Sequence, residues 1–337
     1  MKQITLLVVA GLLSTAASHA VTEAYSPPVG GMSFTINAGS VSVPVTTSLA
    51  LPLSDFPAAS GAAVGVISSI TATTITVNGA NWTAGALSSV QFPYAVRITS
   101  GTAAGYTFNI TANTADTLTI SGGDPTLLGI SAGISGDTLR LIPVDTLNTL
   151  FGSNTFLGGT GPATADIVTL SNTAQLSYYY NTSLARWVRT TGPTTDRGNT
   201  PIPLDSVISI TRKTDAMVLR FIGAVPMDRF NLSVPNSGTK YTHTGFPMDV
   251  TIGALSMQTS LAGWVSSATA ANADTLSVIS GAGYLSYFHN GTYWQRTTGP
   301  STNRDSVVIN AGTPILIFKR GSNIGSSLLL RNRPFSY

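Results

Sequence analysis

The chain of 337 residues contains no cysteine. This absence excludes disulfide bridges, a thiol nucleophile, a zinc–thiolate site and an iron–sulfur cluster. Charged residues are also scarce, at 9% of the chain, against about 25% in ordinary soluble domains. The formal net charge is only +3. A surface with so few charges lacks the dense basic footprint that phosphate backbones require, so we expect no nucleic-acid partner.

The first twenty residues, MKQITLLVVAGLLSTAASHA, have the pattern of a secretory signal peptide. A lysine precedes an apolar run at 4–13, and the small residues Ser18 and Ala20 stand before a cleavage point. The run is too short to span a bilayer, and no later segment reaches the roughly 18 continuous apolar residues that a spanning helix needs. We expect a secreted or cell-surface protein without a transmembrane span, whose mature chain begins near Val21. A retained N-terminal membrane anchor is the alternative.

Alternation of apolar and polar residues predicts β-strands along most of the chain. The clearest segment is YAVRITSGTAAGYTFNITANTADTLTIS, residues 94–121, which predicts three strands with a glycine-rich turn and an Asn–Asp turn between them. Three strands joined so closely form a meander with one buried face. Helix signals are restricted to two short segments, 145–152 and 249–257, each of which begins with an aspartate that suits an N-cap.

The second half of the chain contains an internal duplication. WVRTTGPTTDR at 187–197 returns as WQRTTGPSTNR at 294–304, and LSYYYN at 176–181 returns as LSYFHN at 285–290. A period on the order of 100 residues indicates duplicated domains and not a solenoid, whose units run about 20–50 residues.

These patterns predict an all-β fold of two or three β-sandwich-like domains with an internal duplication and very little helix. We expect a signal peptide at 1–20 and an N-terminal β domain at 21–136. The first β repeat unit is expected at 137–235 and the second at 236–337.

Three segments occur in an order that resembles a family of exported, β-rich bacterial proteins. They are SPPVGGMSFTINAG near the mature start, the SGTAAG hairpin within 94–121, and RLIPVDTLNTLFG at 140–152, followed by a tyrosine-rich strand that leads to tryptophan. The likeness covers nearly the whole mature chain. It departs from the family at Asp145, where an aromatic residue is usual, and at Gly31, which follows Pro-Val-Gly. The resemblance implies export and a β fold, and it brings no activity or catalytic residues with it.

Side chains suited to catalysis are few. The mature chain has two histidines, His243 and His289, and the first copy of the repeat has Tyr180 where the second has His289. A general base does not ordinarily exchange with tyrosine between copies, so we expect a packing or surface role for His289.

An aspartate pair is the remaining catalytic option. Glycosidases hold two carboxylates about 5–10 Å apart, and Asp196 with Asp205 is one conceivable pair. The second copy, however, has Asn303 in place of Asp196. The chain also lacks G-x-S-x-G, P-loop and H-E-x-x-H motifs. We therefore expect no enzyme, no catalytic residue, no metal site and no cofactor.

The duplicated Trp–Arg–Gly–Pro element has two interpretations. Neighbouring strands are expected to place Tyr179 beside Trp187, and Tyr287 beside Trp294. Pairs that face solvent would stack on sugar rings, whereas pairs that face inward would fill a sandwich core. The Trp–Arg–Gly–Pro element recurs in both copies, whereas the carboxylate of Asp196 does not. This difference favours the interpretation in which the aromatic pairs fill a core.

The function expected from these features is that of an exported, non-enzymatic structural or surface-assembly protein. A sparsely charged surface repels its own copies weakly, so the expected partner is another copy of this chain. The alternative is a carbohydrate-binding surface protein that recognises surface glycans with Trp187, Tyr179, Trp294 and Tyr287.

Overall fold

The computed structural model describes residues 29–39, 42–45, 61–152, 156–171, 175–192, 194–204, 206–225, 229–234, 237–245, 248–261, 263–280, 283–299, 301–321 and 327–331. The predicted fold class is confirmed, because the fold is all-β with several antiparallel sheets, and the two α-helices in these residues are short. The predicted signal peptide lies outside the described residues.

Nine strands precede the duplicated region. They are β1 (Val29–Ile36), β2 (Ser42–Val45), β3 (Val64–Val66), β4 (Ser69–Ile70), β5 (Thr74–Thr76), β6 (Tyr94–Ile98), β7 (Thr107–Asn113), β8 (Thr117–Ser121) and β9 (Thr138–Pro143). A 3₁₀ helix at Pro125–Leu128 lies between the last two.

Strands β3 to β9 form one sheet in the order β3-β9-β6-β7-β8-β5-β4. The two edge strands are consecutive pieces of one bent segment, which therefore joins the edges of the sheet. On one side, Ile67 donates its N–H to the carbonyl of Asp137 at 2.8 Å, and on the other Ser68 donates to Thr76 at 2.8 Å. The sheet thus closes into a small barrel with its own hydrophobic core. Within it, β6, β7 and β8 form the meander predicted for 94–121.

The remaining strands are β10 (Ile167–Ser171), β11 (Gln175–Asn181), β12 (Arg186–Arg189), β13 (Val207–Thr211), β14 (Met217–Ala224), β15 (Phe230–Val234), β16 (Ser237–His243), β17 (Val250–Thr251), β18 (Thr275–Ser280), β19 (Gly283–His289), β20 (Trp294–Arg296), β21 (Val308–Ile309), β22 (Pro314–Arg320) and β23 (Ser327–Arg331). The helices are α1 (Leu147–Phe151) and α2 (Met257–Ser260), with 3₁₀ helices at Gly253–Leu255 and Ala270–Asn272.

These elements form two units with the same plan. In unit 1, the five-stranded sheet β12-β11-β10-β13-β2 shares a core with the two-stranded sheet β1-β14 and with α1. In unit 2, the five-stranded sheet has the order β20-β19-β18-β22-β16, and the pairs β15-β23 and β17-β21 accompany it. The strand order is therefore the same in both five-stranded sheets, with β2 in the position of β16 and β1 in the position of β15.

The barrel is an insertion into unit 1. It follows β2 and precedes α1 in the chain, although β1 and β2 pair with strands of unit 1 that follow it. Two segments that were predicted to belong to the first repeat unit, 137–235, pair with strands outside it. Residues 138–143 form a strand of the barrel, and β15 pairs with a strand of unit 2. An alternating pattern identifies a strand and its buried face, but it carries little information about the partner strand.

The two predicted helical segments start later than predicted. In the first, Thr146 caps α1 by accepting a hydrogen bond from the backbone N–H of Thr149 at 3.2 Å, so the predicted cap by Asp145 is wrong. The segment 249–257 begins as the short strand β17, and α2 starts only at its end. Asp249 instead accepts a backbone N–H from a loop that is distant in sequence.

Candidate functional site

The duplicated element begins at two equivalent tryptophans on the edge strands of the five-stranded sheets. Trp187 lies on β12 and Trp294 on β20. After the turn, the backbone N–H of Arg197 donates to the carbonyl of Trp187 at 2.7 Å, and that of Arg304 donates to the carbonyl of Trp294 at 2.8 Å. The repeated sequence is therefore a repeated backbone corner.

The glycine of the corner has a positive φ in both copies. The angle is 114° at Gly192 and 107° at Gly299, a region in which a side chain would be strained. Pro193 and Pro300, which follow these glycines, lie outside the described residues. The shared backbone conformation explains the glycine of the repeat without reference to a ligand.

Both indoles lie in the cores of their units. Trp187 and Trp294 are 0% and 1% exposed, and neither indole nitrogen has a hydrogen-bond partner among the described residues. The rings of Phe151, Phe156 and Tyr180 surround Trp187, with centroids 6.1, 5.7 and 5.9 Å away. Each indole acts as a large apolar side chain that fills a sandwich core.

The tyrosine expected beside Trp187 faces the other side of the sheet. Tyr179 packs against Ala165 and Val188, whereas Tyr180 lies directly opposite Trp187 on the neighbouring strand. The predicted pair of Tyr179 and Trp187 is therefore wrong. Successive side chains of a strand point to opposite faces, so a register that differs by one residue changes the partner.

In unit 2, Tyr287 belongs to the same core as Trp294, but the residue directly opposite the indole is His289. Its imidazole meets the indole edge to face, with centroids 5.7 Å apart. Trp187, Tyr179, Trp294 and Tyr287 are all buried. Stacking on a sugar requires an accessible ring face, so this burial favours the core interpretation of the four side chains.

The aspartate that is lost between copies has a role that asparagine can also fill. In unit 1, the carboxylate of Asp196 accepts the backbone N–H of Gly198 at 2.8 Å. In unit 2, the side-chain oxygen of Asn303 accepts the N–H of Asp305 at the same distance. Both side chains stabilise a turn by bonding to the backbone two residues later. Asp205, the other member of the conceivable carboxylate pair, lies outside the described residues.

A buried ionic contact is duplicated as well, and it was missed from the sequence. Asp166 pairs with Arg212 in unit 1, and Asp274 pairs with Lys319 in unit 2, where the charged atoms lie 2.6 Å apart. Each carboxylate also accepts two backbone N–H groups at 2.8 Å. The available signal was an aspartate that recurs directly before β10 and β18, together with a basic residue that directly follows β13 in unit 1 and lies in β22 in unit 2.

His289 is a buried residue with hydrogen bonds at one ring nitrogen. Its Nδ1 accepts the backbone N–H of Gly291 at 3.2 Å and lies 3.0 Å from the hydroxyl of Ser266. Burial lowers the pKa of His289 from its usual value of 6.5, and the negative charge of Asp305 opposes that shift. A neutral imidazole against Trp294 is the arrangement that these contacts favour.

The other histidine of the mature chain is also buried. His243 is 1% exposed, and its Nε2 lies 2.9 Å from the carbonyl oxygen of Leu204 in unit 1. Over the parts of the chain that the structure describes, no cluster of three histidine, aspartate or glutamate side chains is arranged to hold a metal ion.

The outer face of the five-stranded sheet of unit 2 carries aromatic side chains. Tyr241 on β16 and Tyr284 on β19 meet over this face, with their hydroxyl oxygens 2.9 Å apart. Tyr284 is 45% exposed. Partial burial of its phenol, its hydrogen bond with Tyr241 and the charge of that neighbour raise the pKa of Tyr284 to about 12. With the half-buried residues Ile279, Leu316 and Phe318, these tyrosines form a surface that we call the tyrosine face.

Unit 1 has smaller or polar residues at the positions of the tyrosine face. Strand register identifies these equivalents as Pro44, Ser171, Gln175, Ser209 and Thr211. The two units therefore share a core tryptophan and a core tyrosine, Tyr178 in unit 1 and Tyr287 in unit 2, and differ on this face. The signal in the sequence is the comparison of β11 with β19, because Gln175 stands where Tyr284 does.

No protein-family model, curated protein or solved structure matches this chain. None of the helices in the described part of the chain has the length and apolar character needed to cross a bilayer.

Proposed function

We propose that this protein is an exported, non-enzymatic structural component that assembles with copies of itself at or outside the cell surface. The duplicated features support this proposal because each one has an architectural role. The indoles fill cores, the glycines shape corners, and the carboxylates of Asp166 and Asp274 hold loops onto strands.

The main support for the proposal is a difference between the outer faces of the two five-stranded sheets. The two five-stranded sheets have the same strand order and the same core tryptophan, yet their outer faces differ. Unit 2 carries the tyrosine face, where unit 1 has Ser209 and Gln175. Tyrosine is enriched at protein interfaces because its ring supplies apolar area while its hydroxyl remains hydrogen-bonded.

The weak charge of the chain supports association with further copies. Charged residues make up 9% of the chain, so electrostatic repulsion between copies is small. Sheets also end in strands without a neighbouring strand in the described residues, such as β16 in unit 2. Unpaired strand edges are templates for pairing with another chain.

The direct test is the size of the mature chain, from Val21 onward, in solution. We expect analytical ultracentrifugation to show association that increases with protein concentration and changes little with salt, and we expect electron microscopy to show defined assemblies. A chain that remains monomeric at every concentration and salt would contradict the proposal.

Carbohydrate binding is the second candidate, and the pair formed by the half-buried Tyr241 and the exposed Tyr284 favours it. The rings lie on a sheet face with centroids 6.3 Å apart, and the hydroxyls are available to sugar hydroxyl groups. A glycan array with the mature chain tests this candidate. Hits that disappear in a Tyr284→Ala variant would support it, whereas hits that persist would place the glycan elsewhere.

A further inference from the structure

The turn between β19 and β20 begins with the sequence His-Asn-Gly, residues 289–291. An asparagine side chain loses ammonia when the backbone nitrogen of the next residue attacks its amide carbon, Cγ. Glycine is the least hindered residue for this attack because it has no Cβ. The turn therefore contains the pair of residues at which a chain most readily modifies itself.

The nitrogen that would attack already donates its hydrogen to a base. The backbone N–H of Gly291 points at Nδ1 of His289 at 3.2 Å, which is within the reach of a general base. Because Nδ1 accepts this hydrogen bond, it is the unprotonated nitrogen of the ring. Burial lowers the pKa of His289 and the charge of Asp305 opposes that shift, so the imidazole is available as a base at neutral pH.

The amide under attack is polarised by two backbone donors. The side-chain oxygen of Asn290 accepts the N–H of Thr292 at 2.8 Å and that of Tyr293 at 2.9 Å. Negative charge develops on this oxygen when a nucleophile adds to Cγ, and donors that already point at it stabilise that charge. Gly291 and Thr292 are exposed, so water reaches the turn.

Unit 1 has the same turn without the reactive groups. The side-chain oxygen of Asn181 accepts the N–H groups of Ser183 and Leu184, both at 3.0 Å. Tyrosine precedes this asparagine and threonine follows it. The asparagine thus shapes the turn in both units, whereas the imidazole and the glycine are found only in unit 2.

We propose that Asn290 is a self-modifying site, at which His289 is the general base for loss of the side-chain amide. The nitrogen of Gly291 passes its proton to Nδ1 and forms a bond to Cγ of Asn290. The bond from Cγ to the side-chain nitrogen breaks, and that nitrogen takes the proton from the imidazole and leaves as ammonia. Water then opens the cyclic imide, which leaves aspartate or isoaspartate at position 290. The reaction consumes only water.

The test follows this reaction in the folded mature chain at neutral pH. Peptide mapping by mass spectrometry measures the loss of asparagine at each position. A second Asn–Gly pair, Asn78 with Gly79, lies in an exposed turn and is the matched control. No histidine of the described chain accepts the N–H of Gly79, because His243 bonds to other groups. The same measurement in urea compares the two pairs without the influence of the fold.

Two substitutions separate a base from a structural contact. His289→Tyr introduces the residue of unit 1. His289→Gln supplies an oxygen that can accept the N–H of Gly291 but has no basic nitrogen, so it removes the base and leaves an acceptor. Circular dichroism verifies that both variants are folded.

In the folded parent, we expect Asn290 to react about tenfold or more faster than Asn78, as is reasonable for a general base. In urea, the two sites should react at similar rates. Each substitution of His289 should slow the reaction at Asn290 by about tenfold or more and leave Asn78 unaffected. Folded variants that react at Asn290 as fast as the parent would overturn the inference. Equal rates at the two sites in the folded parent would overturn it as well, even if neither variant folds. Neither outcome depends on whether the chain assembles with its copies.

Discussion

The ammonium group of Lys319 lies 2.6 Å from a carboxylate oxygen of Asp274, and both side chains are fully buried. The second unit thus contains an ion pair without contact to solvent, in a protein that has few charges. Each buried charge is costly alone, and the pair is tolerated because the carboxylate also accepts backbone N–H groups from Val265 and Arg320.

Removal of the cation should destabilise the fold strongly. We expect Lys319→Met to lower the free energy of unfolding by about 3–5 kcal/mol, because it leaves the buried carboxylate of Asp274 without its counter-charge. Lys319→Arg should lose far less, since Arg212 has this role in unit 1. Urea denaturation of the two variants measures the difference. Equal stability of Lys319→Met and the parent would contradict the assigned role.

The buried indoles should contribute to stability and not to recognition. We expect Trp187→Ala and Trp294→Ala each to lower the free energy of unfolding by about 3–5 kcal/mol, as for other large-to-small changes in a core. Trp294→Phe should cost less because much of the ring remains. Thermal and urea melting measure these changes. Unchanged melting together with the loss of a bound ligand would contradict the core interpretation.

Stability should depend on the protonation of His289. The folded state lowers the pKa of this residue below its usual value of 6.5, so the unfolded chain binds the proton more readily. The free energy of unfolding should therefore decrease as the pH falls below about 6.5, until the lowered pKa of the folded state is reached. His289→Tyr, which introduces the residue of unit 1, should show a smaller decrease. Identical pH profiles for the variant and the parent would contradict this prediction.

The tyrosine face should act in association with little effect on folding. Tyr284→Gln introduces the residue that unit 1 has at this position, and exposed substitutions usually change stability by about 0.5 kcal/mol or less. We expect this variant to associate more weakly than the parent in sedimentation experiments, with a similar melting temperature. Tyr284→Phe should retain most of the association because it keeps the apolar ring. A Tyr284→Gln variant that associates normally would exclude this face from the interface.

The strands and the duplication were accessible from the sequence because each depends on local pattern. Alternation at 94–121 fixes a meander, since every second side chain of a strand points to the same face. The tryptophan corners were recognisable for a related reason. Their glycines and turn-forming side chains, such as Asp196 and Asn303, act on backbone only a few residues away.

Features that depend on contacts between residues far apart in the chain could not be predicted from the sequence. Nothing near β1 indicates that it pairs with β14, or that the sheet of β3 to β9 closes on itself. The partner of Trp187 was misplaced by one residue because the hairpin register between β11 and β12 was unknown. The ion pair of Asp274 and Lys319 joins positions that are far apart in the chain, and a single sequence does not reveal that they meet.

The insertion of the barrel into unit 1 has a consequence for the order of folding. Unit 2 and the barrel are each made from one continuous stretch of chain, so each can form once that stretch is available. Unit 1 needs residues 29–36 to find residues 217–224, with the whole barrel between them, and such long-range pairing is slow because a large loop must be closed first. We expect unit 1 to complete last and its strands to be the most prone to mispairing when the chain is refolded.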